Sequence, residues 1–347
     1  MSQEKQIEVI CHERFRTLVP EVLKMLNPFN LNSHFVIFSS GTTSKFPKGY
    51  AISKEALKLN AQAVNTHFNL TSQDVWALSL PDYHIGGLSV LRRAQLLGNK
   101  VIRTSAWDPN QWHKLLDESN VTITTVVPTQ VYDLVKLNLH SPSKLRYLVV
   151  GGDYLSPTLE VKAKALGWPV VRTFGMTEVC SQLAAQNSQG ELEILPIHQV
   201  KIENERLKVK SPCLFTLQFT LKENPEIVWA KDLCDAEGFY PTQDRAELNG
   251  KFLKHLGRMD DQIKVNGRLI SLIELKDLLS KYLLENNLYG QAELQIEADE
   301  RGGKSLTLLH LNNLPPNLIE IFHPIKIQTR RVEQFDRTDL GKLRKTQ

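Results

Sequence analysis

Short apolar runs alternate with amphipathic stretches through the first half of the chain. Phe35-Val36-Ile37-Phe38 is apolar throughout and runs into Ser39-Ser40-Gly41, which predicts a buried strand opening into a loop. Leu57, Ala61, Val64 and Phe68 recur at helical spacing behind Ser53, a residue suited to cap that helix. Residues 75–80, 121–127, 146–150 and 170–174 read as further strands. Pro81 and Pro128 stop the first two, and Gly151-Gly152 the third. Thr129 is placed to cap a helix carrying Val131, Leu134 and Val135. Ser156-Pro157 opens another, with proline at the first helical position, where its missing N–H costs nothing. Strands alternating with helices predict an α/β fold. Its main sheet is mostly parallel and covered on both faces, with ligands beyond the carboxyl ends of the strands.

The pattern changes near Glu191. From there to His255 short strands and turns dominate, and Asn249-Gly250 is a hairpin signal between 245–248 and 251–255. This predicts a small β-rich subdomain at about 191–257, inside an ATP- and acyl-binding domain at 1–257. After Gly257-Arg258 a third texture begins. Leu275, Leu278, Leu279, Tyr282 and Leu283 have helical spacing, and 293–297 and 306–310 read as strands. We place a mobile α+β C-terminal domain at 258–347.

Composition narrows the class. With 41% hydrophobic and 23% charged residues, the chain of 347 is that of a folded protein of two or three domains. Lys plus Arg number 42 against 38 Asp plus Glu, too small and dispersed an excess to imply nucleic acid. Cys11, Cys180, Cys213 and Cys234 lack any zinc-like spacing and read as reduced thiols of a cytoplasmic protein. The first ten residues are charged and read as no signal peptide. No apolar run approaches the ~20 residues that a membrane helix needs.

Five segments carry candidate chemistry. Ser39-Ser40-Gly41-Thr42-Thr43-Ser44-Lys45-Phe46-Pro47-Lys48-Gly49 follows a strand. Its hydroxyls, backbone N–H groups and lysines can surround a triphosphate. It is not the GxxxxGK[ST] loop, and a polar surface loop would look the same. Phe174-Gly175-Met176-Thr177-Glu178 also follows a strand. Glu178 can hold magnesium and Thr177 can touch phosphate, or the pair is only a capped helix start. In Thr242-Gln243-Asp244-Arg245, Asp244 can accept both hydroxyls of a ribose, or is a turn aspartate. Gly257-Arg258-Met259-Asp260-Asp261 offers Arg258 to ribose or phosphate and Asp260 as a polar hinge. Asp336-Arg337-Thr338-Asp339-Leu340-Gly341-Lys342 ends in a lysine able to reach a distant site, or is a solvated basic tail.

Taken in this order and spacing, the five resemble the acyl-CoA synthetase and adenylation-domain superfamily over roughly residues 35 to 347. The resemblance implies a phosphate loop at Ser39, Ser40, Gly41, Thr42, Thr43 and Lys48. It implies further nucleotide contacts at Gly152, Phe174, Gly175, Thr177, Asp244 and Arg258. It also implies a magnesium-linked carboxylate at Glu178, a hinge at Asp260 and a catalytic lysine at Lys342. ATP and magnesium are the implied cofactors, with a carboxylic acid and coenzyme A as partners. Ser79-Leu80-Pro81-Asp82-Tyr83-His84-Ile85-Gly86-Gly87, Val127-Pro128-Thr129-Gln130 and Val150-Gly151-Gly152 are similar to the succinylbenzoate–CoA ligases of menaquinone synthesis within that superfamily. So is the Gln-Asp-Arg form of the ribose motif. That narrower resemblance implies acid contacts at Arg93 and Gly151 and a catalytic role for His84. From the residues alone, His84 is equally a core histidine and Arg93 a surface residue of an amphipathic helix. Three departures stand out. Ser44 replaces a usual glycine in a longer loop. Only about thirty residues precede that loop, which implies a more open acyl pocket or one completed by a partner subunit, such as a second copy in a homo-oligomer. Asn266-Gly267-Arg268 replaces a Gly-Gly or Ser-Gly pair. The rival readings are a ligase for another aryl or fatty acid and a non-catalytic nucleotide-binding relative.

Overall fold

Short runs of consecutive buried residues build the parallel half of the central sheet. The computed structural model describes residues 7–38, 48–104, 106–221, 226–265, 268–298, 304–338 and 343–344. The strands before the mid-chain turn are β1 (Glu8–Ile10), β2 (His34–Phe38), β3 (Lys48–Ser53), β4 (Val75–Leu78), β5 (Lys100–Arg103), β6 (Ile123–Val126), β7 (Tyr147–Val150) and β8 (Val170–Met176). Next come β9 (Ser181–Gln186), β10 (Leu192–Ile194), β11 (Gln199–Glu203), β12 (Arg206–Lys210), β13 (Leu217–Thr220) and β14 (Glu226–Trp229). The last are β15 (Tyr240–Asn249), β16 (Phe252–Arg258), β17 (Gln262–Val265), β18 (Arg268–Ser271), β19 (Ala292–Ala298), β20 (Lys304–His310) and β21 (Ile327–Arg331). The helices are α1 (Val19–Leu26), α2 (Lys54–His67), α3 (Ile85–Leu97), α4 (Pro109–Glu118), α5 (Pro128–Lys136), α6 (Pro157–Ala165), α7 (Ala230–Leu233) and α8 (Leu272–Glu285).

The fold is α/β. An eleven-stranded sheet runs β11-β12-β15-β16-β10-β9-β8-β7-β6-β4-β5. Its β5-β4-β6-β7-β8 half is parallel. The strand β2 lies outside it: β2 pairs antiparallel with β3 in a five-stranded sheet, β1-β2-β3-β13-β14. The β-rich stretch after residue 191 does not close on itself. Its strands extend both sheets.

Both faces of the parallel half are dry, as crossover helices require. Ala77, Leu148 and Val150 point to one side, against Trp112 and Leu116 of α4, Val131 and Leu134 of α5 and Leu159 of α6. Trp76, Leu78 and Val149 point to the other, against Val64 of α2 and Val90 and Ala94 of α3. Neighbours in one strand thus serve opposite cores, the period of two that a pleated strand imposes. A separate core joins Leu275, Leu279 and Leu283 of α8 to Leu294, Leu306 and Leu308. Among the described residues no helix is long and apolar enough to cross a membrane.

Local signals mostly hold. Ser53 accepts from the Ala56 amide at 3.0 Å, and Ser156 from the Leu159 amide at 3.3 Å. The Asn249-Gly250 turn joins β15 to β16, with Asn249 opposite Phe252. Thr129 is not a cap. The helix α5 begins one residue earlier at Pro128, and the Gln130 side chain accepts from the Val127 amide at 3.0 Å instead. Proline supplies the preset φ, so the start moves forward to it.

Asp74 ties the amino ends of three parallel strands. It accepts from the Thr71 amide (2.8 Å), the Thr122 hydroxyl (2.7 Å) and Arg146 (2.7 Å). Burial pushes its carboxyl up, but these donors outweigh burial and hold it below its ordinary value. Asp74→Asn should therefore lower unfolding free energy by about 1.5–3 kcal/mol, the worth of a hydrogen bond to a charged group. A group with a depressed folded pKa stabilises above its unfolded pKa and loses that contribution as pH falls. The gap between variant and native protein in urea unfolding should accordingly be full at pH 7 and narrow below about pH 4. A gap that stays constant from pH 7 to 3 would show that the charge on Asp74 contributes nothing.

Candidate active site

The carboxyl ends of β4, β6, β7 and β8 open onto one cavity of about 1370 Å³. Residues from all three parts of the chain line it. Leu80, His84 and Arg93 come from β4–α3, Val127 follows β6, and Gly151 and Gly152 follow β7. Thr173, Phe174, Gly175, Thr177 and Glu178 come from β8 and the turn after it. Asp244, His255 and Arg258 come from β15 and β16, and Leu343 from the C-terminal tail. Lys48, exposed at the start of β3, also reaches the wall. Ser39, Ser40, Gly41, Thr42, Thr43 and Lys342 lie outside the described residues.

The turn after β8 is built on close backbone contact. The strands β8 and β9 pair antiparallel, with a register shift between Phe174 and Gly175. A Cβ on Gly175 would stand 1.9 Å from the Ser181 carbonyl oxygen, so only glycine fits. Gly152 has φ +85°, the left-handed region that glycine enters without a Cβ penalty. Thr177–Val179 then forms one 3-10 turn.

That turn aims Glu178 at the cavity. The Tyr50 hydroxyl of β3 donates to Glu178 Oε1 at 3.0 Å. Burial raises the Glu178 carboxyl above its ordinary range; its own backbone amide, Tyr50 and Arg258 lower it and Asp244 raises it. Tyr50 is itself pushed above its ordinary value, by burial and by Glu178. Among the described residues no group of three His, Cys, Asp or Glu side chains can hold a metal ion. A lone carboxylate such as Glu178 suits a magnesium ion bound mainly through phosphate oxygens.

Asp244 and Arg258 face each other across the β15–β16 hairpin as direct register partners. His255 Nε2 lies 3.1 Å from Asp244 Oδ1, and its ring packs on Phe174 with centroids 4.6 Å apart. Just past β16, Arg258 Nε donates to Asp260 Oδ1 at 3.1 Å and Lys304 donates to the Asp260 carbonyl at 2.6 Å.

At the other end of the cavity sits Arg93. It is only 1% exposed, so it is not the surface arginine of an amphipathic helix. Its NH2 donates to Ser181 Oγ at 3.3 Å, its Nε has no partner, and no carboxylate pairs with it among the described residues. Burial alone lowers its pKa to about 9, so it stays cationic at neutral pH. The Thr125 hydroxyl, on the same wall, is also buried without a partner. The neighbouring Arg92 instead lies over the Phe35 ring, 4.5 Å from its centroid. His84 is buried against Tyr83, centroids 4.7 Å apart, and also lines the cavity, a placement that does not separate its two readings.

Sequence reasoning missed Tyr50, Thr125, Ser181 and His255. Tyr50 and Glu178 are 128 positions apart, and no local pattern links them. His255 was within reach, because the Asn249-Gly250 turn places it near Asp244.

The glycine contact yields a test. Gly175→Ala forces β8 and β9 apart at the joint, so unfolding free energy should fall by about 1–3 kcal/mol, as overpacking does. Full retention of stability would mean that the joint yields to the added methyl group.

The sequence profile of the AMP-binding enzyme family matches residues 20–212. A 2-succinylbenzoate–CoA ligase of Staphylococcus epidermidis is 29% identical over 229 residues, 64% of this chain and 48% of that one. That of Bacillus subtilis strain 168 is 25% identical over 287 residues, 78% of this chain and 57% of its own. The chain thus spans about half the length of the curated relatives it matches. An o-succinylbenzoate CoA synthetase structure from Bacillus subtilis, in complex with the acyl-adenylate intermediate, superposes with a TM-score of 0.75 at 24% identity, covering 89% of this chain and 67% of that one. An anthranilate CoA ligase in complex with anthranoyl-AMP superposes with a TM-score of 0.73 at 16% identity, covering 97% and 76%. By its profile match, and with a fold shared by these ligases, the chain belongs to the AMP-binding enzyme family.

Proposed function

We propose that the chain is an ATP-dependent acid–CoA ligase of the cytoplasm, and that its acid is o-succinylbenzoate or a close aromatic dicarboxylate. Arg93 carries the choice of acid. A buried cation without a counter-anion is costly, and a ligand carboxylate offsets that cost. A dicarboxylate has one carboxylate to activate and one to pair. The curated relatives named as 2-succinylbenzoate–CoA ligases support the same reading.

The chemistry has two steps. A carboxylate oxygen of the acid attacks the α-phosphorus of ATP in line, and pyrophosphate leaves as the new P–O bond forms. The thiol of CoA then attacks the adenylate carbonyl, its proton is lost to solvent, and AMP leaves with the electrons of the broken C–O bond. Such transfers depend on positioning and charge neutralisation. Asp244 and Arg258 hold the ribose, and Gly151, Gly152 and Phe174 flank the base and the acyl group. Glu178 holds the magnesium, which supplies charge neutralisation at phosphate. Ser39 to Thr43 supply hydroxyls and amides to the triphosphate, and Lys48 a cation. Lys342 supplies a cation where charge builds in the first step. His84 borders the acyl path. The chain works as two units meeting near residue 257, and movement about Asp260 separates the two steps.

The decisive experiment is pyrophosphate release with o-succinylbenzoate, benzoates and fatty acids, with and without CoA. Release should be fastest with o-succinylbenzoate. Preference for a monocarboxylate would overturn the acid assignment, and no release with any acid would overturn the ligase reading. In the same assay, Arg93→Leu should raise the KM for o-succinylbenzoate more than about tenfold, since a charge-assisted hydrogen bond is worth ~1.5–3 kcal/mol. The KM for ATP and the turnover of a monocarboxylate analogue should hold. Asp244→Ala should weaken ATP binding in calorimetry while the melting temperature is kept. Unchanged affinity with a lowered melting temperature would make Asp244 a structural residue of the hairpin.

A further inference from the structure

The C-terminal part of the chain is docked on α5 and α6 by specific contacts. Tyr132 of α5 stacks on Tyr289, centroids 4.3 Å apart and planes 30° apart. Its hydroxyl donates to the Tyr289 carbonyl at 2.8 Å. Gly290 follows with φ +76°, and a Cβ there would meet the Tyr132 ring at 3.4 Å. Beside this stack, the Tyr154 hydroxyl donates to Asp277 Oδ2 at 2.7 Å, and the Ser156 and Ser280 hydroxyls are 2.7 Å apart. Lys162 donates to the Leu284 carbonyl at 3.1 Å. The Leu284 side chain packs in the core of α4, α5 and α6, not with the other leucines of α8.

The same corner reaches the tail. Arg337 NH2 donates to Glu293 Oε1 at 2.7 Å. Arg337 pairs with Leu343 in an antiparallel bridge, and the Arg344 amide donates to the Asp336 carbonyl at 2.8 Å. Leu343 lines the cavity that holds Glu178 and Asp244. Leu343, bridged to Arg337, thus links the Glu293–Arg337 pair to the cavity wall.

We propose that Tyr132 and Arg337 are positioning residues for acyl-adenylate formation: Tyr132 seats the C-terminal part on α5, and Arg337 ties Leu343 to β19 of that part, so that Leu343 stands at the cavity. The inference rests on the ligase reading for its chemistry. Few bonds make the seat, and most are polar, so it can be left when the second step needs another arrangement.

The test separates the two steps. In Tyr132→Ala and Arg337→Ala, acid-dependent exchange of pyrophosphate into ATP should fall in kcat by roughly tenfold or more, with KM for ATP little changed, as expected when orientation and not binding is lost. Thioester formation from synthetic acyl-adenylate and CoA should hold or rise. Arg337→Lys should restore most of the exchange, because the charge is kept. Equal loss in both steps, or no loss in either, would overturn the proposal. A second readout needs no catalysis. Trypsin should cut the ligand-free protein after Arg258 or Lys264 faster in both variants than in native protein, while Lys114→Ala, on the far helix α4, should match native. If native protein exchanges pyrophosphate with no acid, the ligase reading fails and the cleavage rates alone decide the seat. Unchanged cleavage in both variants would then overturn it.

Discussion

The backbone contact between Gly175 and Ser181 is the joint on which the site depends. It lets a parallel strand turn directly into an antiparallel one, so one sheet continues from the helix-covered half into the hairpins beyond. The cavity-lining residues Phe174, Thr177 and Glu178 lie at the end of β8 and in the turn that the joint creates. Ser181, which accepts the Arg93 hydrogen bond, is the first residue of β9 and half of the joint itself. A side chain at position 175 would push these groups apart together, because they share one stretch of backbone. The two ends of the cavity are thus set by a single close approach.

Charge is distributed unevenly around that cavity. At one end Glu178, Asp244 and Arg258 balance one another, with Tyr50 and His255 supplying hydrogen-bond partners. At the other, Arg93 is dry and bonded only to a hydroxyl among the described residues. An arginine in such a place stores an unfavourable desolvation term that a ligand anion can relieve. Thr125 Oγ1 and Gln182 Oε1, of residues that line the same cavity, also lack partners among the described residues.

The C-terminal part meets the rest of the chain in a different manner. It has its own leucine core, yet Leu284 and Tyr289 pack against the helices of the first part. Polar contacts dominate the remaining boundary. Such a boundary combines a small apolar contact with polar ones, as interfaces between domains of one chain do.

The sequence by itself determined the α/β class, the helix starts at Ser53 and Ser156 and the β15–β16 hairpin. Each rests on neighbours within a few residues: apolar periodicity, a capping hydroxyl, an Asn-Gly turn. The Asp244–Arg258 pairing was not legible from that turn, because a register shift between Arg245 and Ala246 moves it one residue from where the turn alone would put it. The sequence also held the order of five motifs that marks the family. Only the tertiary structure decided the rest. It moved β2 from the parallel sheet into a second one, since a strand's partner is chosen by burial and not by its own composition. It distinguished Arg93 from Arg92, which are alike in sequence but differ in which side of α3 faces the sheet. It brought Tyr50 to Glu178 and Tyr132 to Tyr289 across 128 and 157 positions, contacts that no periodicity encodes because they exist only when distant segments share one wall.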